Sequence, residues 1–130
     1  MRLLLDTHFL VWVAADVRRI TPHERAILSD EDVEIVCSTV SLWELRLKWQ
    51  TVSLSGERKG PIAPDVLLGV AQRAGWTILP LTPEHAVTTL EVPVAHKDPF
   101  DELLLVQAQV EGVRFLTRDE ALVGHPLAYR

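Results

Sequence analysis

Short apolar runs alternate with longer helical patterns along the chain, and this alternation predicts strands separated by helices. The first run, residues 3–5, is continuous and is followed at once by Asp6. A run of this length predicts a strand that is buried on both faces of a parallel sheet. Residues 9–15 are apolar over too great a length for the same strand and predict a helix. Asp6 is therefore expected at the carboxyl end of a central strand, where ligands bind in open α/β sheets.

Three further runs predict the other strands of the sheet. Residues 33–37 alternate and are rich in β-branched side chains, while residues 76–80 and 113–117 are short apolar runs. Residues 127–129 are a candidate edge strand. Because helical patterns separate these runs, we expect a three-layer α/β/α sandwich around a central parallel sheet, with one domain over residues 1–130.

Capping residues mark where the intervening helices begin and end. Thr21, Pro22 and Glu24 are typical of an N-cap, a first-turn proline and an acid at the third helical position. Residues 38–41 are expected to cap another helix. Residues 53–64, with their glycines, prolines and charges, are expected to form an irregular loop. The remaining helices are expected at residues 64–74, closed by Gly75; at 83–90; at 98–111, closed by Gly112; and as one turn at 119–123.

The composition is that of an ordinary soluble protein. The 130 residues are 48% hydrophobic and 24% charged. The first residues lack the pattern of a signal peptide, and no stretch approaches the roughly 20 apolar residues that cross a bilayer. The single cysteine, Cys37, cannot form an internal disulfide. It is expected to be a small buried side chain in a protein of the reducing cytoplasm.

The formal net charge of −5 argues against binding nucleic acid through overall charge. This objection weakens if several acids gather at one metal site, because bound cations would cancel the acids locally. Any contact with a phosphate would then depend on individual basic side chains. The available cations are Arg46, Lys48, Arg58, Lys59, Lys97 and Arg118.

Five acids stand close to the ends of strands or the starts of helices. Each has a structural interpretation, because acids favour N-caps and the first helical turn. Residues 41–44 also have the form of a capping box. The five acids are Asp6 and Asp119, each after a strand; Glu44, one turn into a helix; and Asp98 and Asp101, which open the long helix.

A shared sheet edge would give these acids a chemical role. Parallel strands point the same way, so acids that follow them lie on one edge. Carboxylates in one crevice repel one another unless cations share them, which predicts at least one raised carboxylate pKa in the metal-free protein. Oxygen ligands without a His–Cys pattern indicate Mg²⁺ or Mn²⁺. Such a cation binds phosphate esters and activates water for their hydrolysis.

Four motifs follow one another in a fixed order along the chain. They are residues 5–8 (LDTH), 41–44 (SLWE), 96–101 (HKDPFD) continuing into 103–108 (LLLVQA), and 117–119 (TRD). In order and spacing they resemble the PIN-domain ribonucleases, most closely the VapC-like toxins of bacterial type II toxin–antitoxin pairs. The resemblance covers nearly the whole chain. It implies a Mg²⁺- or Mn²⁺-dependent endoribonuclease toxin that hydrolyses RNA phosphodiester bonds with a metal-activated water.

The resemblance also assigns the acids. Asp6, Glu44 and Asp101 match the three acids that hold the metal and serve catalysis. Asp119 matches a fourth, more variable acid of the same site. The family's third acid stands close to the apolar helical run, which favours Asp101 over Asp98. Asp98 is then an N-cap, or an acid that hydrogen-bonds to a metal ligand without binding the metal itself.

Other side chains near the acids have candidate supporting roles. Thr7 and Thr117 are placed to orient metal-bound waters through their hydroxyls. Arg118, next to Asp119, is the best candidate for a contact with a phosphate of the RNA. Glu102 stands where a basic residue is common in this subgroup, a departure that concerns how the substrate is held and not how the metal is bound.

Partners follow from the resemblance as well. In addition to RNA, we expect a homodimer that is neutralised by a small, separately encoded antitoxin. Helical surfaces around residues 42–49 and 66–71 offer the apolar area that such partners cover. No membrane association is expected.

Other classes fit the same residues less well. A phospho-accepting receiver domain needs an acceptor Asp at the end of the third strand, where residues 79–81 are Leu-Pro-Leu, and an Asp-x-Asp phosphatase needs an acid where His8 stands. A catalytically silent PIN fold that only binds or signals remains open. His8 and His96 are minor candidates for metal ligands. Four tryptophans are candidates for stacking on bases but fit the core or an interface better: Trp12, Trp43, Trp49 and Trp76.

Overall fold

The computed structural model describes residues 1–51, 54–57, 60–95 and 98–129. Within these ranges it contains four strands and six α-helices. The strands are β1 (Arg2–Leu5), β2 (Glu34–Ser38), β3 (Thr77–Leu79) and β4 (Arg114–Leu116). The helices are α1 (Thr7–Ala15), α2 (Pro22–Leu28), α3 (Thr39–Gln50), α4 (Pro64–Ala74), α5 (Pro83–Val87) and α6 (Pro99–Glu111), and a short 3-10 helix, Val17–Arg19, joins α1 to α2.

The four strands form one parallel sheet in the order β3-β2-β1-β4. Strand β1 is central, and Leu4 lies beside Val36 of β2 and Phe115 of β4. Helices cover both faces of the sheet and complete a three-layer α/β/α sandwich. The predicted fold class is confirmed.

The apolar run at the start of the chain is explained by a core on each side of β1. Leu3 and Leu5 pack into a cluster with Phe9 of α1, whereas Leu4 points to the opposite cluster, beside α6. All three leucines of the strand are fully buried. Burying such a side chain contributes about 1.5–3 kcal/mol. The side chains on both faces of β1 therefore anchor the strand in the core. This packing also fixes the position of Asp6, the residue that follows the strand.

A chain of buried polar side chains joins β2 to α5 and α6. The Ser38 hydroxyl bonds to Gln107 Oε1 at 2.5 Å, and Gln107 Nε2 lies 3.4 Å from Nδ1 of the buried His85. Nδ1 also accepts the backbone N–H of Thr82 at 3.0 Å. Nε2 therefore carries the ring proton and donates it to Glu111 Oε2, 2.9 Å away. Each of these side chains completes the hydrogen bonding of the next, which buried polar groups require.

The caps predicted for α2, α4 and α6 are confirmed. Thr21 and Glu24 form a reciprocal capping box with Pro22 in the first turn of α2. Gly75 and Gly112 follow α4 and α6 with φ of 74° and 67°, the left-handed region that a side chain disfavours.

Some predicted boundaries differ from the structure. Helix α5 ends at Val87 instead of residue 90, because Thr88 turns the backbone to an extended conformation. Residues 127–129 do not form a regular edge strand, and Ala128 makes one parallel bridge to Phe115. The single turn predicted at residues 119–123 is confirmed, because the carbonyl of Asp119 accepts from the N–H groups of Leu122 and Val123.

The expected loop at residues 53–64 lies partly outside the described residues, which omit Ser53, Arg58 and Lys59. Its described part, at 54–57 and 60–63, contains no helix or strand, and α4 follows it. In the part of the chain that the structure describes, no helix is both long and apolar enough to cross a membrane.

Candidate active site

Asp6 lies directly after β1 and is the N-cap of α1. Its side chain is buried, with a relative exposure of only 3%. Oδ1 accepts the N–H of His8 at 3.3 Å, and Oδ2 accepts the hydroxyl of Thr117 at 2.7 Å. Thr117 follows β4, the neighbour of β1, so the parallel topology itself brings the two residues together. The sheet edge predicted from the sequence thus carries a buried carboxylate.

Opposing influences act on the Asp6 carboxyl. Burial is the largest single one and raises its pKa, but hydrogen bonds from His8 and Thr117 and the charge of His8 hold the pKa below its ordinary 3.8. The His8 imidazole Nδ1 lies 3.7 Å from Oδ1, and the contact raises the pKa of His8 above 6.5. Asp6 is therefore not the carboxyl with the raised pKa that was predicted for the site, because an imidazole and a hydroxyl face it.

Glu44 projects from the second turn of α3 and is also buried, with 6% relative exposure. Thr7 Oγ1 lies 2.9 Å from Glu44 Oε1 and 2.9 Å from the buried Ser41 hydroxyl. An ionised carboxylate only accepts, so Thr7 donates to Glu44 and Ser41 donates to Thr7. Lys48 Nζ, one turn further along α3, lies 2.9 Å from Oε2. Thr7 follows Asp6 in sequence and thus connects the two buried acids.

The proposed capping box at residues 41–44 is wrong. Helix α3 begins at Thr39, and its N-cap is Ser38, whose hydroxyl accepts the N–H of Val40 at 2.9 Å. Ser41 is therefore inside the helix, where its hydroxyl is used by Thr7.

Asp98 and Asp101 stand at the start of α6. Asp98 is the N-cap, as predicted, and its Oδ1 accepts from the N–H groups of Phe100 and Asp101 at 2.9 and 3.4 Å. Asp101 lies in the first turn of the helix and is half-buried. His96, a minor candidate for a metal ligand, lies outside the described residues together with Lys97.

Asp119 and Asp6 border the same cavity, which has a volume of about 240 Å³. Asp119 Oδ1 accepts the N–H of Ala121 at 2.9 Å, which makes Asp119 a local cap. The Thr117 hydroxyl accepts the N–H of Asp119 at 3.0 Å while it donates to Asp6. Glu44 borders a second cavity, of about 480 Å³, together with Asp98. The threonines thus contact the acids themselves, and their predicted hold on waters stays a prediction.

Arg118 borders the cavity of Asp6 and Asp119 but turns its guanidinium toward α2. Nε and Nη2 bond to the two carboxylate oxygens of Glu24 at 2.7 Å each, and Nη2 also donates to the carbonyl of Arg19. The guanidinium lies over the ring of Trp12, 4.4 Å from its centroid. The hydrogen bond to Glu24 raises the pKa of Arg118, and the same bond lowers the pKa of Glu24 below 4.5. Contact with a phosphate stays a prediction for this residue.

Replacing Glu24 by Gln is expected to lower the free energy of unfolding by about 1 kcal/mol at most, since Arg118 is partly exposed and screened. A carboxyl whose folded pKa is depressed stabilises the fold above its unfolded pKa, and loses that effect as pH falls through the folded pKa. The gap between parent and Glu24→Gln should therefore be full near pH 7 and shrink below about pH 4.5. Thermal unfolding across this range measures it, with Glu31→Gln at an exposed turn as the matched control; a gap that is independent of pH contradicts the ion pair.

The described residues of the site include oxygen donors that suit a metal ion, but they are not arranged as a complete set of metal ligands. Asp6 and Glu44 offer buried carboxylate oxygens, the ligands that hard divalent cations prefer, and Asp119 faces the cavity of Asp6. Among the residues that the structure describes, no three His, Cys, Asp or Glu side chains are grouped so as to hold a metal ion. The chemistry of the donors fits Mg²⁺ or Mn²⁺, and the four-acid set of Asp6, Glu44, Asp101 and Asp119 stays a prediction.

Several contacts of the site did not emerge from the sequence. The pair of Lys48 with Glu44 has a local signal, because the two residues are four positions apart on a helix. Two other contacts join distant parts of the chain, so no local sequence pattern predicts them. They are the hydrogen bond between Thr7 and Ser41 and the ion pair of Arg118 with Glu24.

The comparison with protein-family models matches residues 3–124 to the PIN domain. The chain therefore belongs to the PIN domain family. PIN domains are generally nucleases that act on nucleic acid, and they typically use divalent metal ions. None of the curated proteins with which the chain was compared matches it.

Proposed function

We propose that the chain is a Mg²⁺- or Mn²⁺-dependent endoribonuclease, formed by one domain, and the toxin of a type II toxin–antitoxin pair. The observation that carries the proposal is the buried Asp6 carboxylate at the end of the central strand, held charged by a threonine hydroxyl and a histidine. A buried charge is costly unless it has partners or a cation to bind. Membership in a family of nucleases supplies the class of reaction.

The acids and hydroxyls divide the work as follows. Asp6, after β1, and Glu44, on α3, would hold the metal ion at the sheet edge, with Asp101 and Asp119 completing the set. When bound, the divalent cation supplies the activated water and offsets charge on the phosphate that is attacked. Thr117 and Thr7 fix the two buried carboxylates through hydrogen bonds of 2.7 and 2.9 Å. A ligand fixed in this way loses little freedom when a cation binds.

The apolar helical surface supports the proposal of protein partners. Trp43, Leu47 and Val66 are exposed on α3 and α4, and a shallow cavity of about 350 Å³ lies between these helices. Exposed apolar side chains grouped in this way are typical of surfaces that a partner covers. A homodimer and a small antitoxin, in a cytoplasmic setting, are the partners we propose.

The test is cleavage of an end-labelled RNA by the purified full chain, with Mg²⁺, with Mn²⁺ and with EDTA. We expect fragments with either cation and none with EDTA. Thermal unfolding provides a second measurement, because a ligand that binds only the folded protein stabilises it by about 2.7 kcal/mol at a hundredfold excess over its Kd. Expression of the chain alone should slow bacterial growth.

Each negative result has its own meaning. Cleavage that persists in EDTA contradicts metal dependence, and RNA binding without cleavage in any cation favours the catalytically silent PIN fold. A chain that is monomeric by light scattering, and whose expression leaves growth unchanged, contradicts the assignment as a toxin.

A further inference from the structure

A groove of about 710 Å³ lies between α1, the 3-10 helix and α3, beside the cavity that Asp6 and Asp119 border, which is called the acidic cavity below. Its floor is apolar, formed in part by Val11, Trp12 and Leu45. Clefts of this size that combine an apolar floor with a few polar groups are typical of ligand sites. The groove contains none of the four candidate metal-binding acids, and the proposed chemistry does not by itself give it a use.

The rim of the groove is basic, in contrast to the chain as a whole. Among the described residues, Arg18, Arg19 and Lys48 line it together with one acidic side chain, Asp16. Arg19 Nε lies 3.1 Å from Asp16, and Lys48 Nζ lies 2.9 Å from Glu44 outside the groove, so Arg18 is the least engaged of the three cations. The Arg18 side chain is 92% exposed, and its Nε lies 3.5 Å from Asp16. A weak surface pair of this kind leaves the guanidinium available to a phosphate. In a chain of net charge −5, this grouping of cations is a local charge pattern that suits a polyanion.

The groove and the acidic cavity share two aromatic side chains. His8 and Trp12 line both spaces, and their ring centroids are 6.0 Å apart with planes inclined by 29°. Arg118 lies over the Trp12 ring. It lines the acidic cavity and does not line the groove. Because Arg118 lies over Trp12 and His8 stacks against it, the surface of the pair that a further flat group can reach is the ring of His8, whose side chain is 65% exposed.

We infer that this groove binds the unpaired RNA strand next to the bond that is cut, with a base on the ring of His8 and phosphates at Arg18 and Lys48. The inference rests on the proposed function and adds to it the place on the protein where the RNA strand binds. Stacking on an aromatic ring requires an exposed base face, which single strands offer and duplexes do not. The groove thus selects an unpaired segment, and the adjoining cavity of Asp6 receives the neighbouring phosphate.

The test is binding of a fluorescent single-stranded RNA to the full chain in EDTA, where no cleavage is needed. His8→Ala is expected to weaken binding on the order of tenfold, as loss of one stacked base does. Arg18→Ala should reduce the salt dependence of binding by about one phosphate contact. Arg73→Ala, an exposed arginine on α4 outside the groove, is the matched control and should bind like the parent. Thermal unfolding checks that each variant is folded; if His8→Ala is not, Arg18→Ala decides the question.

The outcomes separate this inference from the proposed function. Parent-like affinity and salt dependence in both groove variants overturn the inference and leave a protein partner as the occupant to test. Equal affinity for a duplex of the same sequence overturns it as well. Weakened binding in both variants supports it even if Mg²⁺ and Mn²⁺ give no cleavage, a result that would count against the nuclease alone.

Discussion

Replacing Asp6 by Asn is expected to reduce RNA cleavage by at least about a hundredfold in Mg²⁺, while the protein stays folded. Loss of a group that merely supports a metal ligand costs about 10–100-fold, and Asp6 is proposed as a ligand itself. The change removes the charge but preserves size, and Asn is as good an N-cap as Asp. The fold of α1 therefore survives, since the N-cap bond from the His8 N–H can be kept.

The cleavage rate of purified parent and variant, at equal protein concentration near neutral pH, measures this effect. Asp32→Asn, at an exposed turn far from the sheet edge, is the matched control and should cut like the parent. Mg²⁺ should raise the melting temperature of the parent more than that of Asp6→Asn. A folded Asp6→Asn protein that cuts RNA at nearly the parental rate would show that Asp6 is only a helix cap.

Replacing Phe115 by Ala is expected to lower the free energy of unfolding by about 3–5 kcal/mol. Phe115 is completely buried on β4, in the cluster that also holds Leu4 and Leu104. Truncation leaves a cavity between the sheet and α6 that rigid neighbouring elements cannot fill. Because total stabilities are only about 5–15 kcal/mol, the variant should be marginally folded at room temperature.

Urea unfolding measures the loss, with two comparisons. Phe115→Leu retains most of the apolar contact and should lose clearly less than Phe115→Ala. Glu120→Ala, exposed a few residues away, should change stability by no more than about 0.5 kcal/mol. A loss below about 1 kcal/mol in Phe115→Ala would mean that the cluster collapses around the gap.

The layers of the fold were predictable because the sequence pattern reports burial directly. Leu3, Leu4 and Leu5 are all apolar since both faces of β1 are covered, and the glycines after α4 and α6 mark required left-handed turns. Boundaries depend on finer balances. Helix α5 stops at Val87 where Thr88 becomes extended, and Ala128 makes only one bridge because the chain meets the edge of β4 briefly.

The candidate site was predictable in part for a similar reason. Asp6, Asp98 and Asp119 obey local capping rules, so their places at strand ends and helix starts followed from neighbouring residues. The side chains that contact each acid could not be predicted from neighbouring residues. Thr117 reaches Asp6 over 111 positions, and Arg118 reaches Glu24 over 94, so these contacts arise from sheet order and helix packing.

The chain of polar side chains from Ser38 through Gln107 and His85 to Glu111 has a consequence for how related sequences can diverge. A change at Gln107 alone would leave the buried hydroxyl of Ser38 without its acceptor and would remove the contact of Gln107 Nε2 with Nδ1 of His85. An apolar residue at 107 is therefore expected to occur together with an apolar residue at 38 or 85, since replacing both partners avoids the cost of an unmatched group. Position 107 should thus vary together with position 38 or with position 85, although 69 and 22 residues separate them.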